Sequence, residues 1–315
     1  MKYTLALLIG IFAFNSQAFT TKSVQFKSQG TKLKGTLYLP SNLKKGQKVP
    51  AVVVTGAWTT VKEQMPKTYA IELANRGFGA LTFDFRGWGQ SGGKNRYLED
   101  PERKTQDIVA AVDYLATRPE VQSDKLTGLG ICASSGYMAE AYTRTKKLKT
   151  VALVAPWLHN KEIATQVYGG EKSVKSLLAA AGKAEMKFSK TGKLTTAVAA
   201  STTDKNSIMF KAPYYTEENR GLIKEYDNKF NVASWNGWLN YNAMTSAKNL
   251  RGKVLFVGSE AMALPQGAKT YAKLAGGKVE KVWLDKVTQF DFYDKKEAVT
   301  KAADSAAKHF KTQTK

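Results

Sequence analysis

The feature of this sequence that most restricts its fold is a series of short apolar runs that are bounded by turn residues. They occupy residues 49–55, 79–85, 126–131, 151–155, 254–257 and 279–284. Apolar and polar residues do not alternate along these runs, so both faces of each predicted strand must be covered, as in a parallel sheet. The runs therefore predict the central strands of a mostly parallel sheet.

Helical patterns lie between these runs. They cover residues 67–75, 103–117, 133–145 and 298–310, and an antiparallel hairpin is predicted at the start from residues 23–26 and 34–39 around Gly30. Because strands and helices alternate along the chain, the predicted class is α/β with a doubly wound sheet.

The first 18 residues have the pattern of a cleaved secretory signal. Lys2 is followed by an apolar stretch over residues 4–14, and Ser16 and Ala18 place small side chains at positions −3 and −1 of a cut before Phe19. We therefore predict a signal peptide over residues 1–18, a mature domain over residues 19–315 and a periplasmic or secreted location. The stretch is shorter than the roughly 20 residues that span a bilayer, so no transmembrane segment is expected.

One interval is much longer than the others, between the runs at residues 151–155 and 254–257. A long insertion in a compact domain usually forms a lid or a binding loop. The sequence thus predicts a helical cap over about residues 158–250. Within it Trp235, Trp238 and Tyr241 are candidates for an apolar pocket wall, although packing of the cap on the sheet would explain them equally well.

The chemistry is indicated by residues 130–134, with the sequence G-I-C-A-S, where a predicted strand passes into a predicted helix. A nucleophile at such a strained corner needs small neighbours on both sides. Cys132 fits this position, and the helix N-terminus would favour its thiolate. Two alternatives stay open: Ser134 is the nucleophile, flanked by Cys132 and Gly136, or Cys132 is only a small buried residue.

With this elbow the chain resembles the α/β-hydrolase superfamily, and within it the dienelactone-hydrolase-like bacterial proteins that carry Cys in a G-x-C-x-[GS] elbow. The segments 58–65, 83–93 and 287–294 add to the resemblance, which covers nearly the whole mature chain. It implies an α/β-hydrolase fold and chemistry that needs neither a cofactor nor a metal ion. It says little about the substrate.

The resemblance also implies roles for particular residues. In such hydrolases the oxyanion is held by the backbone N–H after the nucleophile, here that of Ala133, and by another in the loop after the first parallel strand, here near Ala57 and Trp58. The acid usually follows the penultimate strand, where Glu260 is the nearest carboxylate. Glu260 could equally be a solvated loop residue.

The expected base is missing from its usual place. Many relatives carry His after the last strand in a segment like x-T-H-x-D-x-Y-D, and here Gln289 stands in that slot. An amide forms hydrogen bonds but cannot take a proton from a thiol. His159 follows a predicted strand at the carboxyl edge and is a candidate for a displaced base or a structural residue, whereas His309 is expected at the surface.

The balance of charge bears on partners. The chain has 48 Lys and Arg against 26 Asp and Glu, a formal net charge of +22. Such a field concentrates anions near the surface. It suggests a small-molecule substrate that is possibly anionic and electrostatic contact with an anionic envelope surface. Nucleic acid is not expected, because no binding module or basic stripe accompanies the charge.

Together these features predict an exported enzyme that hydrolyses an ester, thioester or lactone, or transfers an acyl group, through Cys132 with Gln289 in place of the usual His. Two alternatives remain, a hydrolase-fold binding protein that has lost turnover and an esterase that depends on Ser134.

Overall fold

The computed structural model describes residues 19–315 as an eight-stranded sheet that is flanked by helices. The predicted signal peptide, residues 1–18, lies outside the described residues. In chain order the elements are β1 (Phe19–Ser28), β2 (Thr31–Pro40), β3 (Val49–Thr55), α1 (Met65–Ala74), β4 (Gly79–Phe83), α2 (Pro101–Ala116), β5 (Val121–Ile131), α3 (Ser134–Arg144), β6 (Leu148–Val154), α4 (Lys161–Val167), α5 (Gly170–Thr191), β7 (Thr196–Val198), β8 (Ala200–Ser201), β9 (Met209–Phe210), α6 (Pro213–Thr216), β10 (Lys229–Asn231), α7 (Ser234–Leu239), α8 (Thr245–Lys248), β11 (Val254–Gly258), α9 (Pro265–Leu274), β12 (Val279–Trp283), α10 (Asp291–Asp294) and α11 (Lys296–Gln313).

The strand order in the large sheet is β1-β2-β4-β3-β5-β6-β11-β12. β2 runs antiparallel to β1 and β4, and every other neighbouring pair is parallel. The order doubles back at β3 and then continues outward through β5, which is the doubly wound arrangement predicted from the alternating pattern. The predicted fold class is therefore confirmed.

The central apolar runs become strands because both faces of the sheet are covered there, whereas the run that forms β12, at the edge of the sheet, is part-exposed. All residues of β4 and of β11 are buried, as are the last five of β3. The predicted hairpin forms as well, with Gln29 and Gly30 at φ 45° and 75° in a two-residue turn between β1 and β2. Turns with positive φ at both central residues match the twist of the strands that they join.

The structure differs from the sequence-based expectations at one helix and at one histidine. Helix α9 (Pro265–Leu274), which lies between β11 and β12, was not among the predicted helices. His309 was expected at the surface, but this prediction is wrong: the residue is buried on α11, with Nε2 2.7 Å from the Thr150 Oγ1 and Nδ1 2.9 Å from a Glu280 carboxylate oxygen. These polar partners on β6 and β12 replace water around the imidazole.

The long interval between β6 and β11 folds into helices α4–α8 and short strands, of which β7 pairs with β10 and β8 with β9. Backbone hydrogen bonds join it to the rest of the chain, for example from Asn231 N to Tyr97 O at 2.9 Å. Within residues 19–315 no helix is both long and apolar enough to span a membrane.

Candidate active site

Cys132 occupies a strained turn between β5 and α3. Its φ is 56°, a left-handed conformation that non-glycine residues rarely adopt, and helix α3 begins two residues later at Ser134. The turn is tight enough that a Cβ on Gly130 would lie 2.6 Å from the carbonyl oxygen of Ser134. A small residue is therefore required at position 130, as the elbow pattern predicts, and the Cys132 side chain points away from the sheet edge into a cavity.

The sulfur of Cys132 is almost enclosed, with 7% of the residue exposed. Burial raises the pKa of the thiol, and hydrogen bonds from the Tyr293 hydroxyl and the backbone N–H groups of Ala133 and Trp58 oppose this effect without cancelling it. The helix N-terminus was expected to favour the thiolate, but burial outweighs it. At neutral pH the group is thus a thiol that faces three hydrogen-bond donors.

The cavity above the sulfur has a volume of about 360 Å³. Its walls come from the loops after β3 and β11, from the turn between β5 and α3, from the insertion between β6 and β11, and from α10 with the loop before it. The lining residues are Trp58, Cys132, Ala133, Trp157, Val167, Tyr168, Ile208, Met209, Tyr215, Trp238, Ala263, Gln289, Phe290 and Tyr293. A concave, mainly apolar site with a few convergent polar groups is the usual form of a small-molecule site.

Gln289 lies in this cavity but has no hydrogen bond to the sulfur. Its Nε2 donates to the Ala155 carbonyl oxygen at 3.0 Å and to the Tyr293 hydroxyl oxygen at 3.1 Å, and its Oε1 accepts from the Ala263 N–H at 3.0 Å. Both amide hydrogens and the carbonyl oxygen are therefore used by the protein. An acid was expected in the loop after β11, but this loop contacts Gln289 through the backbone N–H of Ala263 and not through a carboxylate.

Tyr293 was missed by the sequence analysis, and it is the side chain that connects Gln289 to Cys132. Its oxygen accepts from Gln289, so its own proton is available to the sulfur. Burial raises the pKa of this phenol well above its usual value, so it stays protonated. The only signal was its position four residues after Gln289 in a segment that was already singled out.

Glu260 lies outside the cavity. Its carboxylate accepts from the Trp283 indole N–H at 3.0 Å and from the Lys269 ammonium at 2.7 Å, and the Lys269 charge lowers its pKa. The side chain is largely exposed. The structure does not bring this carboxylate to Cys132 or Gln289, and its predicted role as the acid finds no support in its contacts.

His159 is buried, and both of its ring nitrogens have protein partners. Nδ1 accepts from the Trp157 indole N–H at 3.2 Å, so Nε2 carries the proton and donates to the Trp238 carbonyl oxygen at 2.9 Å. Burial lowers the pKa of this imidazole to about 4. His159 does not line the cavity, and its contacts are those of a structural histidine, one of the two alternatives left open.

The other sequence-derived candidates divide between the cavity and its supports. Trp238 lines the cavity, whereas Trp235 packs behind it with its ring centroid 5.8 Å from that of Trp58. Tyr241 donates to a Glu140 carboxylate oxygen at 3.3 Å. Neither Trp235 nor Tyr241 reaches the cavity wall.

Ser134 and Ala57 shape the turn that faces the sulfur. The Ser134 hydroxyl is buried and donates to the carbonyl oxygen of Gly56, which ties the start of α3 to the loop after β3. Ala57 accepts from the Thr60 hydroxyl at 2.7 Å and does not line the cavity. Of the predicted oxyanion donors, Ala133 and Trp58 are the two whose N–H groups reach Cys132.

A buried ion pair braces this loop and was also missed. Glu99 accepts from the Lys104 ammonium at 2.7 Å, from the Tyr137 hydroxyl at 2.8 Å and from the Thr59 N–H at 3.4 Å. Its own N–H donates to the Ser234 hydroxyl at 2.9 Å. The Glu99 carboxylate thus joins the loop after β3 to helices α2 and α3, and the Glu99 backbone N–H adds a contact with the insertion.

Comparison with protein families gives a match over most of the chain. The model of the X-Pro dipeptidyl-peptidase (S15 family) matches residues 29–288. The chain belongs to the S15 family. The matched range includes the Cys132 elbow, the insertion between β6 and β11, and the loop after β12 up to Thr288.

Curated relatives of this S15 protein align over part of their length. It is 36% identical over 123 residues to the uncharacterized protein YcjY of Escherichia coli (strain K12), covering 39% of this chain and 40% of the relative. It is 29% identical over 138 residues to the thiohydrolase aneE of Aspergillus aculeatus, covering 44% of this chain and 42% of that one. The matched segments thus span less than half of either relative.

Solved structures match over nearly the full length. The crystal structure of the hypothetical protein PA2218 from Pseudomonas aeruginosa has a TM-score of 0.85 at 24% identity, covering 95% of both chains. The α/β hydrolase GrgF from Penicillium sp. sh18 has a TM-score of 0.74 at 16% identity, covering 93% of this chain and 99% of that one. At these identities the likeness concerns the fold alone.

The α/β-hydrolase fold predicted from the sequence is therefore confirmed, and membership of the S15 family agrees with the predicted hydrolase class. The narrower resemblance to dienelactone-hydrolase-like proteins stays a prediction, as does the role of each site residue.

Proposed function

We propose that this S15 family member transfers acyl groups from thioesters and other activated esters through the sulfur of Cys132. The observation that carries the proposal is the convergence of two backbone N–H groups, those of Ala133 and Trp58, on a sulfur held at a strained elbow beneath a cavity. Paired donors at such a point stabilise the oxyanion of a tetrahedral intermediate.

The reaction proceeds in two steps. The Cys132 thiol loses its proton to solvent, and the sulfur attacks the acyl carbonyl carbon of R–CO–SR′. The tetrahedral oxyanion rests on the N–H groups of Ala133 and Trp58, and it collapses to a Cys132 thioester as R′S⁻ leaves and takes up a proton from solvent. Water or an acceptor alcohol then attacks this thioester, which frees the Cys132 thiol and yields the acid or a new ester.

The groups around the sulfur limit which leaving groups the site can release. The groups that hydrogen-bond to the sulfur are donors, namely the Tyr293 hydroxyl and two backbone N–H groups, and the imidazole of His159 is used by Trp157 and Trp238. A thiolate or phenolate can leave without being protonated, whereas an amine cannot. Thioesters and aryl esters therefore suit the site better than peptides, and the relative from Aspergillus aculeatus is itself named a thiohydrolase.

Slow release of the acyl group is expected as well. Gln289 cannot activate water, and its hydrogen bonds to Ala155, Ala263 and Tyr293 leave it no free group. The Cys132 thioester should therefore accumulate, which makes it measurable.

The test is acylation by the N-acetylcysteamine thioester of octanoic acid, followed by intact mass spectrometry. Wild type and the matched control Ser134→Ala should gain one octanoyl group that maps to Cys132, and Cys132→Ala should gain none. An adduct on Ser134 would show that Ser134 is the nucleophile. Absence of any adduct over hours at pH 8.5 would overturn the proposal.

One observation favours a second function, that of a binding protein with an inactive hydrolase fold. The thiol pKa is raised and the residue in the base position is fully hydrogen-bonded to the protein. If octanamide binds equally well to wild type and to Cys132→Ala while neither reacts with the thioester, the binding function is supported.

We further propose that residues 1–18 export the protein, that residues 158–250 act as a cap, and that the net charge, which falls from +22 to +21 when Lys2 is removed with residues 1–18, holds the mature protein near anionic envelope surfaces. Cell fractionation should recover the mature chain, beginning at Phe19, outside the cytoplasm. High salt should release the fraction that is bound to membranes, since exposed charges are screened.

A further inference from the structure

The cavity above Cys132 contrasts with the rest of the molecule in its charge. The chain has a formal net charge of +22, yet no Lys, Arg, His, Asp or Glu is among the residues of the described part, 19–315, that line the cavity. A charged ligand group would have to leave water without an ion partner, and this costs several kcal/mol. The walls therefore select against a charged acyl chain.

Tyr168 carries a polar group of this cavity that the proposed mechanism does not use. It lies between α4 and α5, and its ring packs against that of Trp235 with centroids 5.1 Å apart. Its oxygen accepts a hydrogen bond from the Trp238 indole N–H at 2.7 Å. Because the indole N–H is only a donor, this bond leaves the Tyr168 proton unused.

No acceptor for that proton is found among residues 19–315. Burial raises the pKa of the Tyr168 phenol well above its usual value, so the proton is retained. Tyr168 is part-buried and lines the cavity, so its hydroxyl proton is available to an acceptor on a ligand that fills this space.

We propose that the cavity takes an uncharged, mainly apolar acyl group with a second acceptor oxygen, such as an oxoacyl chain, whose far oxygen accepts from the Tyr168 hydroxyl. The reacting carbonyl oxygen lies on the N–H groups of Ala133 and Trp58, and the apolar part contacts the indole rings of Trp157 and Trp238. This substrate class rests on the proposed acyl transfer through Cys132.

The experiment compares thioesters of one chain length. N-acetylcysteamine thioesters of octanoic, 3-oxo-octanoic, 5-oxo-octanoic, 7-oxo-octanoic and octanedioic acid are each mixed with the full-length mature protein, and the rate of Cys132 acylation is followed by intact mass. At least one oxo compound should react about tenfold faster than the octanoyl thioester, as one buried hydrogen bond allows. The octanedioyl compound, which carries a free carboxylate, should react at least about 100-fold more slowly.

Tyr168→Phe isolates the hydroxyl. The variant should lose the advantage of the oxo compound over the octanoyl thioester, with both rates measured in the same variant, whereas Tyr114→Phe, a change on α2 outside the cavity, should keep this advantage. The proposal is overturned if the oxo advantage persists in Tyr168→Phe, if no oxo compound is favoured, or if the octanedioyl thioester reacts as fast as the octanoyl one.

A separate measurement keeps this result distinct from failure of the acyl transfer. If no thioester modifies Cys132, the octanamide, the oxo-octanamides and octanedioic monoamide are titrated into Cys132→Ala, with quenching of the cavity tryptophans as the signal. Tighter binding of an oxo amide that is lost in the double variant with Tyr168→Phe would support the ligand class without the reaction. Equal binding of all the amides would overturn it.

Discussion

At Cys132 two effects on the thiol oppose each other, and burial is the larger. Hydrogen bonds from Tyr293, Ala133 and Trp58 favour the thiolate, but the pKa is still raised. An ion pair with imidazole would instead hold the thiolate at acidic pH. The sulfur therefore depends on the pH of the medium for its reactivity, and the active fraction is small at neutral pH.

The rate of Cys132 alkylation by iodoacetamide should rise about tenfold per pH unit between pH 6 and 8.5, because only the thiolate reacts and its fraction follows the pKa. The rates are measured by intact mass, with glutathione as the reference thiol. The structure predicts a slower reaction than that of glutathione throughout this range. A plateau at pH 6 to 7 would contradict it and would indicate a cationic partner close to the sulfur.

Among residues 19–315 the Tyr293 hydroxyl is the one side-chain donor to this sulfur, so its removal has a defined effect. Tyr293→Phe should slow alkylation at pH 8 by about three- to tenfold, since a lost hydrogen bond to the thiolate raises the thiol pKa further. Tyr114→Phe, on the outer helix α2, should leave the rate unchanged. Faster alkylation in Tyr293→Phe would mean that the phenol shields the sulfur more than it stabilises the anion.

At the scale of elements, the sequence predicts those parts of the fold that a local pattern encodes. The unbroken apolar runs correspond to β3, β4 and β11 because these strands are covered on both faces. Helix α9 was missed between two predicted strands, and the residues that connect distant elements were also missed. Glu99 is an example, since its partners lie on four separate parts of the chain and no spacing in the sequence relates them.

The same limit applies to the site. The elbow at Cys132 is local and its turn is found where the pattern places it. The role of Tyr293 as a donor to the sulfur depends on the direction of its hydrogen bond with Gln289. The position of Glu260 depends on how the loop after β11 turns. Motifs locate a nucleophile, whereas its partners are fixed by tertiary packing.

The buried pair of Glu99 and Lys104 makes a prediction at this scale. Glu99→Gln should lower the free energy of unfolding by about 3–5 kcal/mol, because it leaves the Lys104 ammonium buried without a counterion. The double change Glu99→Gln with Lys104→Met should recover a large part of this loss. Urea denaturation provides the measurement.

Glu102→Gln, on the helix α2 that also carries Lys104, is the matched control. Its partner Arg144 is part-exposed, so this change should cost less than about 1 kcal/mol. If Glu99→Gln is no more destabilising than Glu102→Gln, the buried pair does not brace the loop after β3 as described.

At the scale of the whole molecule, the charge and the site are separated. The excess of Lys lies on the surface and the cavity carries no charged side chain within the described residues, so surface charge can raise the local concentration of anions without binding them at Cys132. A change in pH acts on the interior as well as on the surface, because buried groups take up protons when the chain unfolds. Two imidazoles, those of His159 and His309, are buried and have lowered pKa values.

Their effect on stability has a definite sign. In the unfolded chain an imidazole takes up a proton as the pH falls below about 6.5, whereas folded His159 resists protonation down to a pKa of about 4. The unfolded state then binds more protons, so the stabilisation that is present above pH 6.5 is lost as the pH falls toward 4. Two and a half pH units correspond to about 3 kcal/mol for this one residue, and His309 adds a loss of the same sign.

The free energy of unfolding in urea, measured at fixed ionic strength, should therefore fall between pH 6.5 and pH 5, before most carboxylates titrate. His159→Gln should have a shallower slope over this interval than wild type, because the change removes one of the two protons that only the unfolded chain takes up. Its stability at pH 7.5 should be lower than that of wild type, since the contacts to Trp157 and Trp238 are altered. Equal slopes for the two proteins would show that His159 is already protonated when folded, and the tautomer inferred from its hydrogen bonds would then be wrong.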